Sequence, residues 1–307
     1  MKLKSLISRL GGRIQSVQEE TFDLFAQELP SHNLGFVDSK SPVLELSIAG
    51  RDLTIHQSPS VLASNRAGGT TGAVLWKITP AFAEWVSAPD NILFASGALS
   101  EGSAVIELGC GISPIVGLLL APRVSHYVLT DQPYVARLVE QNLAANKDLL
   151  QGPGRAASRR RSRGTRAPER KPAAGTGRIA FVPVDWERDE VTPTLAGAVA
   201  ARSFDAVIAC DCIYNEALID PLVQTCADTC RLRADDGSGS GGASPCVCVV
   251  AQQLRDHDVF EGWLVRFAES FDVWRVPDSC LPETLRSNSG FVVHIGILKG
   301  TVGLDQM

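Results

Sequence analysis

The residues best placed to do chemistry follow two apolar runs that lie about twenty positions apart. The first run ends in Glu107, Leu108, Gly109, Cys110 and Gly111, and the second, 127–130, is followed by Asp131. Glycines allow a ligand to approach the backbone, and a carboxylate after the next strand can hold the two hydroxyls of a ribose. This spacing predicts a cradle for a nucleoside cofactor.

The class of nucleoside depends on the residues after Gly111. Dinucleotide-binding domains usually carry a third glycine, whereas the position three residues on is Pro114. A cofactor without a diphosphate does not need that glycine, and S-adenosylmethionine is such a cofactor. A nicotinamide-dependent oxidoreductase stays open as an alternative, although no acid–base pair for hydride transfer is recognisable.

Two later motifs follow strands of the same kind. Asp185 and Trp186 come after an apolar run at 179–182, where a carboxylate can accept a hydrogen bond from adenine and an indole can cover the ring. Cys210 and Asp211 end the next buried run, close to Tyr214. Ordinary packing of Trp186 and helix capping by Asp211 are the structural alternatives.

The elements that position these motifs form a repeating pattern. Strands at 103–108, 127–130, 179–182, 204–210 and 246–251 are separated by helices, and strands near 271–276 and 291–298 close the chain. This order predicts an α/β fold: a Rossmann-like, mostly parallel sheet of seven strands with helices on both faces.

An N-terminal extension, 1–70, precedes the main domain, 71–307. Alternating residues at 43–48 and 53–56 flank a turn and predict a β-hairpin. The first eighteen residues carry four basic residues, no acid and an apolar stripe. We expect a helix that packs on the domain and continues towards Phe25, with a mitochondrial presequence as the alternative.

Composition limits the classes of function. The net charge is −5, which argues against a general nucleic-acid binder. Segment 151–177 is the exception, since it holds eight arginines and lysines against one glutamate. Because this segment lacks large apolar residues, we predict that it is a disordered insertion. We predict a second disordered insertion at 234–244. The eight cysteines show no metal-ligand spacing, so we expect reduced thiols and no metal site.

Taken in order, these motifs carry a resemblance to a family. The chain resembles the seven-β-strand S-adenosylmethionine-dependent protein lysine methyltransferases that bear an Asp-x-x-Tyr motif after strand four. The similarity covers about 65–300 outside the two insertions. Segments 64–66, 76–80 and 211–216 are most similar to the fungal branch, whose members modify a lysine of a large-subunit ribosomal protein.

The resemblance implies roles for individual residues. Asp211 and Tyr214 are the implied catalytic pair, the first to place the incoming ammonium and the second to line the channel. The implied contacts to S-adenosylmethionine are Trp76, Gly109, Cys110, Gly111, Asp131, Trp186 and Cys210. From their positions alone we add Glu107, for the cofactor's amino group, and Asp185, for its adenine. Another acceptor, such as a histidine, an N-terminal amine or a small molecule, and an inactive ribosome-associated module stay open.

The expected setting follows from the same interpretation. We expect a cytoplasmic monomer, with a nuclear location as a further option, whose partner is a ribosomal protein. No apolar run is long enough to span a membrane, so no membrane contact is expected. Contact with ribosomal RNA is expected only through the basic segment 151–177.

Overall fold

The computed structural model describes residues 2–30, 35–66, 69–150, 179–197, 199, 201–235 and 244–301. The basic insertion predicted at 151–177 lies outside these residues, and so does most of the loop predicted at 234–244.

The centre of the molecule is a sheet of seven strands. In chain order the strands are β3 (Ala104–Leu108), β4 (His126–Asp131), β5 (Ile179–Pro183), β6 (Ala206–Cys210), β7 (Val247–Gln253), β8 (Phe271–Arg275) and β9 (Phe291–Leu298). Their order across the sheet is β5-β4-β3-β6-β7-β9-β8. The first five of that order run parallel, and β9 pairs antiparallel with both β7 and β8. The predicted sheet is confirmed.

Helices cover both faces of this sheet. They are α1 (Lys2–Leu10), α2 (Val17–Phe25), α3 (Pro59–Leu62), α4 (Ile78–Ser87), α5 (Ile92–Ala95), α6 (Ile115–Leu120), α7 (Ala136–Ala145), α8 (Pro193–Gly197), α9 (Ile219–Asp235) and α10 (His257–Ser270). Neighbouring strand residues point to opposite faces. Val105 therefore belongs to an apolar cluster with α4 and α6, whereas Ile106 belongs to a second cluster with α9 and α10.

The N-terminal extension contains the predicted hairpin, β1 (Val43–Ile48) paired antiparallel with β2 (Arg51–His56). The N-terminal helix differs from the prediction of one element running towards Phe25. Two helices form because the chain turns at Gly11, whose φ is +82°. Leu3, Leu6 and Leu10 of α1 are buried in the first apolar cluster.

The parallel strands all end at one edge of the sheet, which is where open α/β sheets bind ligands. Glycine turn 109–111 follows β3, Asp131 ends β4, the Asp185–Trp186 pair follows β5, and Asp211 follows β6. The fold therefore brings the sequence motifs to one place. Among the described residues, no helix is long and apolar enough to cross a membrane.

Candidate functional site

The site is built around the turn that follows β3. Gly109 and Gly111 have φ values of +74° and +57°, a region in which a side chain is strained. A Cβ on Gly109 would lie 2.6 Å from Sγ of Cys212 and 3.0 Å from the indole of Trp186. A Cβ on Gly111 would lie 3.0 Å from the carbonyl oxygen of Gly72. Both positions therefore require glycine, as the sequence predicts.

Asp131 is bonded directly to this turn. Its carboxylate accepts hydrogen bonds from the backbone N–H groups of Gly111, at 2.8 Å, and Gln132, at 2.7 Å. Burial raises the pKa of Asp131 to about 6, although these bonds and the charge of Arg66 lower it. The glycine turn and the acid after β4 thus form one unit.

Glu107 lies at the base of the turn and is almost fully buried. Its carboxylate accepts a hydrogen bond of 2.8 Å from the hydroxyl of Tyr127. Burial raises the pKa of Glu107, and the charge of Asp131 raises it further, whereas the hydrogen bond from Tyr127 lowers it. The resulting pKa is about 8. The surroundings therefore favour a protonated Glu107 near neutral pH.

Trp186 lies against the other side of the turn. Its indole Nε1 is buried and has no hydrogen-bond partner within the described part of the chain. The hydroxyl of Ser113, at the end of the same turn, is also buried and unpartnered among those residues. Buried donors usually have a hydrogen-bond partner inside the protein. Since these two have none among the described residues, they can donate to a bound ligand. Asp185, beside Trp186, accepts a bond of 3.1 Å from the N–H of Glu187.

Residues 71–77 form the opposite wall of the pocket, and backbone contacts fix them in place. Gly72 accepts a hydrogen bond of 2.8 Å from the N–H of Ile112, just past the glycine turn. The indole of Trp76 donates to the carbonyl oxygen of Thr71 at 3.0 Å. The Thr71 hydroxyl donates to the hydroxyl of Tyr214 at 3.0 Å. This wall therefore joins the glycine turn to the Asp-x-x-Tyr segment.

Asp211 follows β6 with a left-handed backbone, φ +62°. Strained conformations of this kind cluster at functional sites. Both of its carboxylate oxygens are 2.7 Å from guanidinium nitrogens of Arg255, and its side chain is only 2% exposed. The expectation that Asp211 itself receives an ammonium stays a prediction, but in this structure its charge is already paired.

Together these residues line one pocket that opens to solvent. All eleven residues proposed from the sequence contribute to its lining: Trp76, Glu107, Gly109, Cys110, Gly111, Asp131, Asp185, Trp186, Cys210, Asp211 and Tyr214. Further lining residues that were not anticipated are Thr71, Gly72, Thr79, Ser113, Gln132, Tyr134 and Cys212. Arg255 was also missed, although it follows β7 at the same carboxyl edge and that position is a usable signal. No cluster of potential metal ligands occurs among the residues that the structure covers.

Comparison with known proteins identifies the family. A family model described as lysine methyltransferase matches residues 55–157. Ribosomal lysine N-methyltransferase 5 of Zygosaccharomyces rouxii is 32% identical over 238 residues, which are 70% of this chain and 70% of that protein. The chain belongs to this family of lysine methyltransferases. The pocket is therefore the candidate active site of a lysine methyltransferase.

Two other similarities extend the comparison. One relative is a Schizosaccharomyces pombe protein named diaminohydroxyphosphoribosylamino-pyrimidine deaminase, which is 28% identical to this lysine methyltransferase. The matched region is 85% of this chain and 53% of that protein. The solved CurJ carbon methyltransferase is 12% identical, with a TM-score of 0.42 over 70% of this chain and 55% of that one.

Proposed function

We propose that the pocket binds S-adenosylmethionine and that this lysine methyltransferase acts on a lysine of a large-subunit ribosomal protein. The observation that carries the cofactor proposal is the bond between Asp131 and the N–H of Gly111. It unites a turn that only glycine fits with a carboxylate that can hold ribose hydroxyls. The ribosomal acceptor is supported by the name of the Zygosaccharomyces rouxii relative.

The residues present fit this cofactor. Glu107 and the glycine turn suit the charged methionine part, because the buried carboxyl can bond its amino group and the turn has no side chain at Gly109 or Gly111 to block its approach. Asp131 suits the ribose. Asp185, Trp186 and the free hydroxyl of Ser113 remain for the polar edges of the adenosine. When bound, S-adenosylmethionine supplies an electrophilic methyl group.

The other end of the pocket suits the acceptor. A lysine side chain is protonated near neutral pH and must lose a proton before its nitrogen can attack. Trp76, Cys210 and Tyr214 line the pocket and would surround the nitrogen at this end. When bound, S-adenosylmethionine would give its methyl group to the neutral amine, and the positive charge of the sulfonium would pass to the methylated nitrogen. Only the proton lost before the attack is therefore released. Tyr214 and Asp211 align the amine, while solvent can take the proton.

Substitution of Gly109 tests the cofactor proposal. Gly109→Ala should reduce the affinity for S-adenosylhomocysteine by a factor of about one hundred or more, because the methyl group occupies the turn. Gly50→Ala is the matched control. Gly50 has a similar φ of +70°, and a Cβ there meets nothing within 4 Å. Both variants should lose about 1 kcal/mol of stability to the left-handed backbone. Gly109→Ala should lose more, because its Cβ also meets Cys212 and Trp186.

Isothermal titration with S-adenosylhomocysteine and with NAD provides the measurement. We expect the wild type and Gly50→Ala to bind S-adenosylhomocysteine and not the dinucleotide. A folded Gly109→Ala protein with wild-type affinity would contradict the assignment of the cradle. Binding of NAD in place of S-adenosylhomocysteine would favour the oxidoreductase alternative.

A further inference from the structure

Arg255 and Asp211 form a closed ion pair at the acceptor end of the pocket. Two guanidinium nitrogens each lie 2.7 Å from a different carboxylate oxygen, so the contact is bidentate. The N–H of Gln253 adds a bond of 3.3 Å to one of those oxygens. Asp211 lines the pocket, and Arg255 lies behind it, two residues past the end of β7.

Arg255 is itself held on several sides. It donates a hydrogen bond of 2.9 Å to the side-chain oxygen of Gln253, and its guanidinium carbon lies 4.8 Å from the centre of the Trp76 ring. A Cβ on Gly35 would lie 2.7 Å from a guanidinium nitrogen, so the N-terminal extension approaches it closely. The guanidinium therefore connects the ends of β6 and β7 to the wall that carries Trp76.

The pair matters because of what the acceptor must be. A bare carboxylate close to an amine stabilises the ammonium form, which has no lone pair to attack the methyl group. A carboxylate closed by a guanidinium keeps its position and loses most of its long-range field. Such a pair can orient an amine without holding its proton.

Most of the other titratable groups at this end of the pocket are neutral near pH 7. Burial raises the pKa of the thiols of Cys210 and Cys212 and of the phenol of Tyr214, so these groups are neutral near pH 7. Glu107, which acts on Cys210, favours its protonated form there as well, since its pKa is raised to about 8. The ionised carboxylate of Asp131 also acts on Cys212 and Tyr214, but it is bonded to the N–H of Gly111 on the cofactor side of the pocket. The charge directly beside the acceptor is therefore set by Asp211 and Arg255.

We propose that Arg255 is a positioning residue that closes Asp211 into a neutral pair, so that the acceptor end of the pocket receives lysine as a neutral amine. This inference rests on the proposed function, because it assumes that the acceptor enters beside Asp211. It assigns the charge balance of the channel to a residue outside the Asp-x-x-Tyr segment.

A cationic analogue tests the charge balance without a protein substrate. Sinefungin carries a protonated amine where S-adenosylmethionine carries its transferable methyl group, whereas S-adenosylhomocysteine has no charge there. Arg255→Met exposes the carboxylate, so the affinity for sinefungin relative to S-adenosylhomocysteine should rise about tenfold. Asp211→Asn leaves the guanidinium unpaired, and the ratio should fall by a similar factor. The double variant should return the ratio to the wild-type value.

Titration calorimetry of the wild type and these variants gives the ratios. Arg255→Lys retains the charge, so its affinity for sinefungin relative to S-adenosylhomocysteine should stay near that of the wild type. If Arg255→Met does not fold, Asp211→Asn still tests the inference, because it should lower this ratio. Ratios that stay unchanged in Arg255→Met and Asp211→Asn would overturn the inference and leave the cofactor pocket standing. A wild-type protein that binds neither analogue would remove the proposed function and the inference with it.

The rate of methylation provides a second readout. Large ribosomal subunits from a Zygosaccharomyces rouxii strain without its own ribosomal lysine N-methyltransferase 5 serve as the probe. In single-turnover assays, the pH of half-maximal rate should rise by about one unit in Arg255→Met and fall by about one unit in Asp211→Asn. A purely structural role for Arg255 would lower the rate without moving this pH, and that result would contradict the proposal.

Discussion

Glu107 and Asp131 face the pocket as buried carboxyl groups that interact with each other. Burial raises their pKa values to about 8 and about 6, so near neutral pH Asp131 is largely ionised while Glu107 is mostly protonated. A ligand with a cationic amino group stabilises the ionised form of Glu107. Binding of S-adenosylmethionine should therefore be linked to the release of a proton.

The pH dependence of binding follows from this linkage. Affinity for S-adenosylmethionine should increase as the pH rises from 6 to 8, since Glu107 then ionises without help from the ligand. Glu107→Gln should flatten this increase and weaken binding about tenfold to a hundredfold at pH 8. Calorimetry at pH 7 in two buffers of different ionisation enthalpy measures the released proton.

The same substitution should change stability in the opposite direction. A carboxyl with a raised pKa favours the folded state below pH 4.5 and loses that advantage as the pH rises towards 8. Without ligand, Glu107→Gln should therefore be more stable than the wild type at pH 8.5 and not at pH 4. Glu140→Gln, an exposed change on α7, is the control. A uniform effect at both pH values would show that Glu107 is not buried as a protonated acid.

Beyond single residues, the elements around the pocket are tied together by polar contacts from the N-terminal extension. Asn142 of α7 accepts a hydrogen bond of 2.7 Å from the N–H of His56 in β2. Its amide also donates to the carbonyl oxygens of His56, at 2.9 Å, and Ile112, at 2.8 Å. The hairpin is therefore bonded, through one side chain, to the segment that follows the glycine turn.

Helix α2 is held to the sheet by a buried charge cluster. Glu20 accepts a hydrogen bond of 2.9 Å from the fully buried His294 of β9 and lies 3.5 Å from Arg275 of β8. Burial alone raises the pKa of Glu20, but the bond from His294 and the charges of His294 and Arg275 lower it below 4.5. The ionised Glu20 thus stabilises the docking of α2.

Loss of this charge should destabilise the protein. Glu20→Gln should lower the free energy of unfolding by about 2 kcal/mol at pH 7. Because the pKa of Glu20 is lowered on folding, its contribution is present above pH 4.5 and is lost as the pH falls further. Urea titrations should therefore show the wild type and the variant converging under acidic conditions. Glu19→Gln on the exposed side of α2 should have little effect, and an equal loss there would contradict the role of Glu20.

For the molecule as a whole, much of the architecture follows from local patterns. The seven strands lie where short apolar runs predict them, because a parallel strand buried on both faces is almost continuously apolar. The pocket residues were also predictable, since the carboxyl ends of parallel strands must meet at one edge. The domain boundary at about 70 stays a prediction.

The features that the sequence could not supply depend on long-range contacts. The position of Arg255 after β7 could have placed it at this edge, but no local pattern encodes its pairing with Asp211, which lies 44 positions away. The free hydroxyl of Ser113 becomes notable only once the surrounding backbone is in place. The break between α1 and α2 could have been predicted from Gly11 and Gly12, because adjacent glycines commonly end a helix. The apolar periodicity on both sides of them favoured one continuous helix instead.

The most direct test of the central claim is mass spectrometry of methylated ribosomes. Large subunits from the Zygosaccharomyces rouxii strain that lacks its own ribosomal lysine N-methyltransferase 5 would be incubated with the wild-type protein and S-adenosylmethionine that carries a deuterated methyl group. We predict label on a lysine side chain of a large-subunit protein, with no label when Gly109→Ala replaces the wild type. Label on another residue type or on RNA, or no label from a protein that binds the cofactor, would contradict this claim.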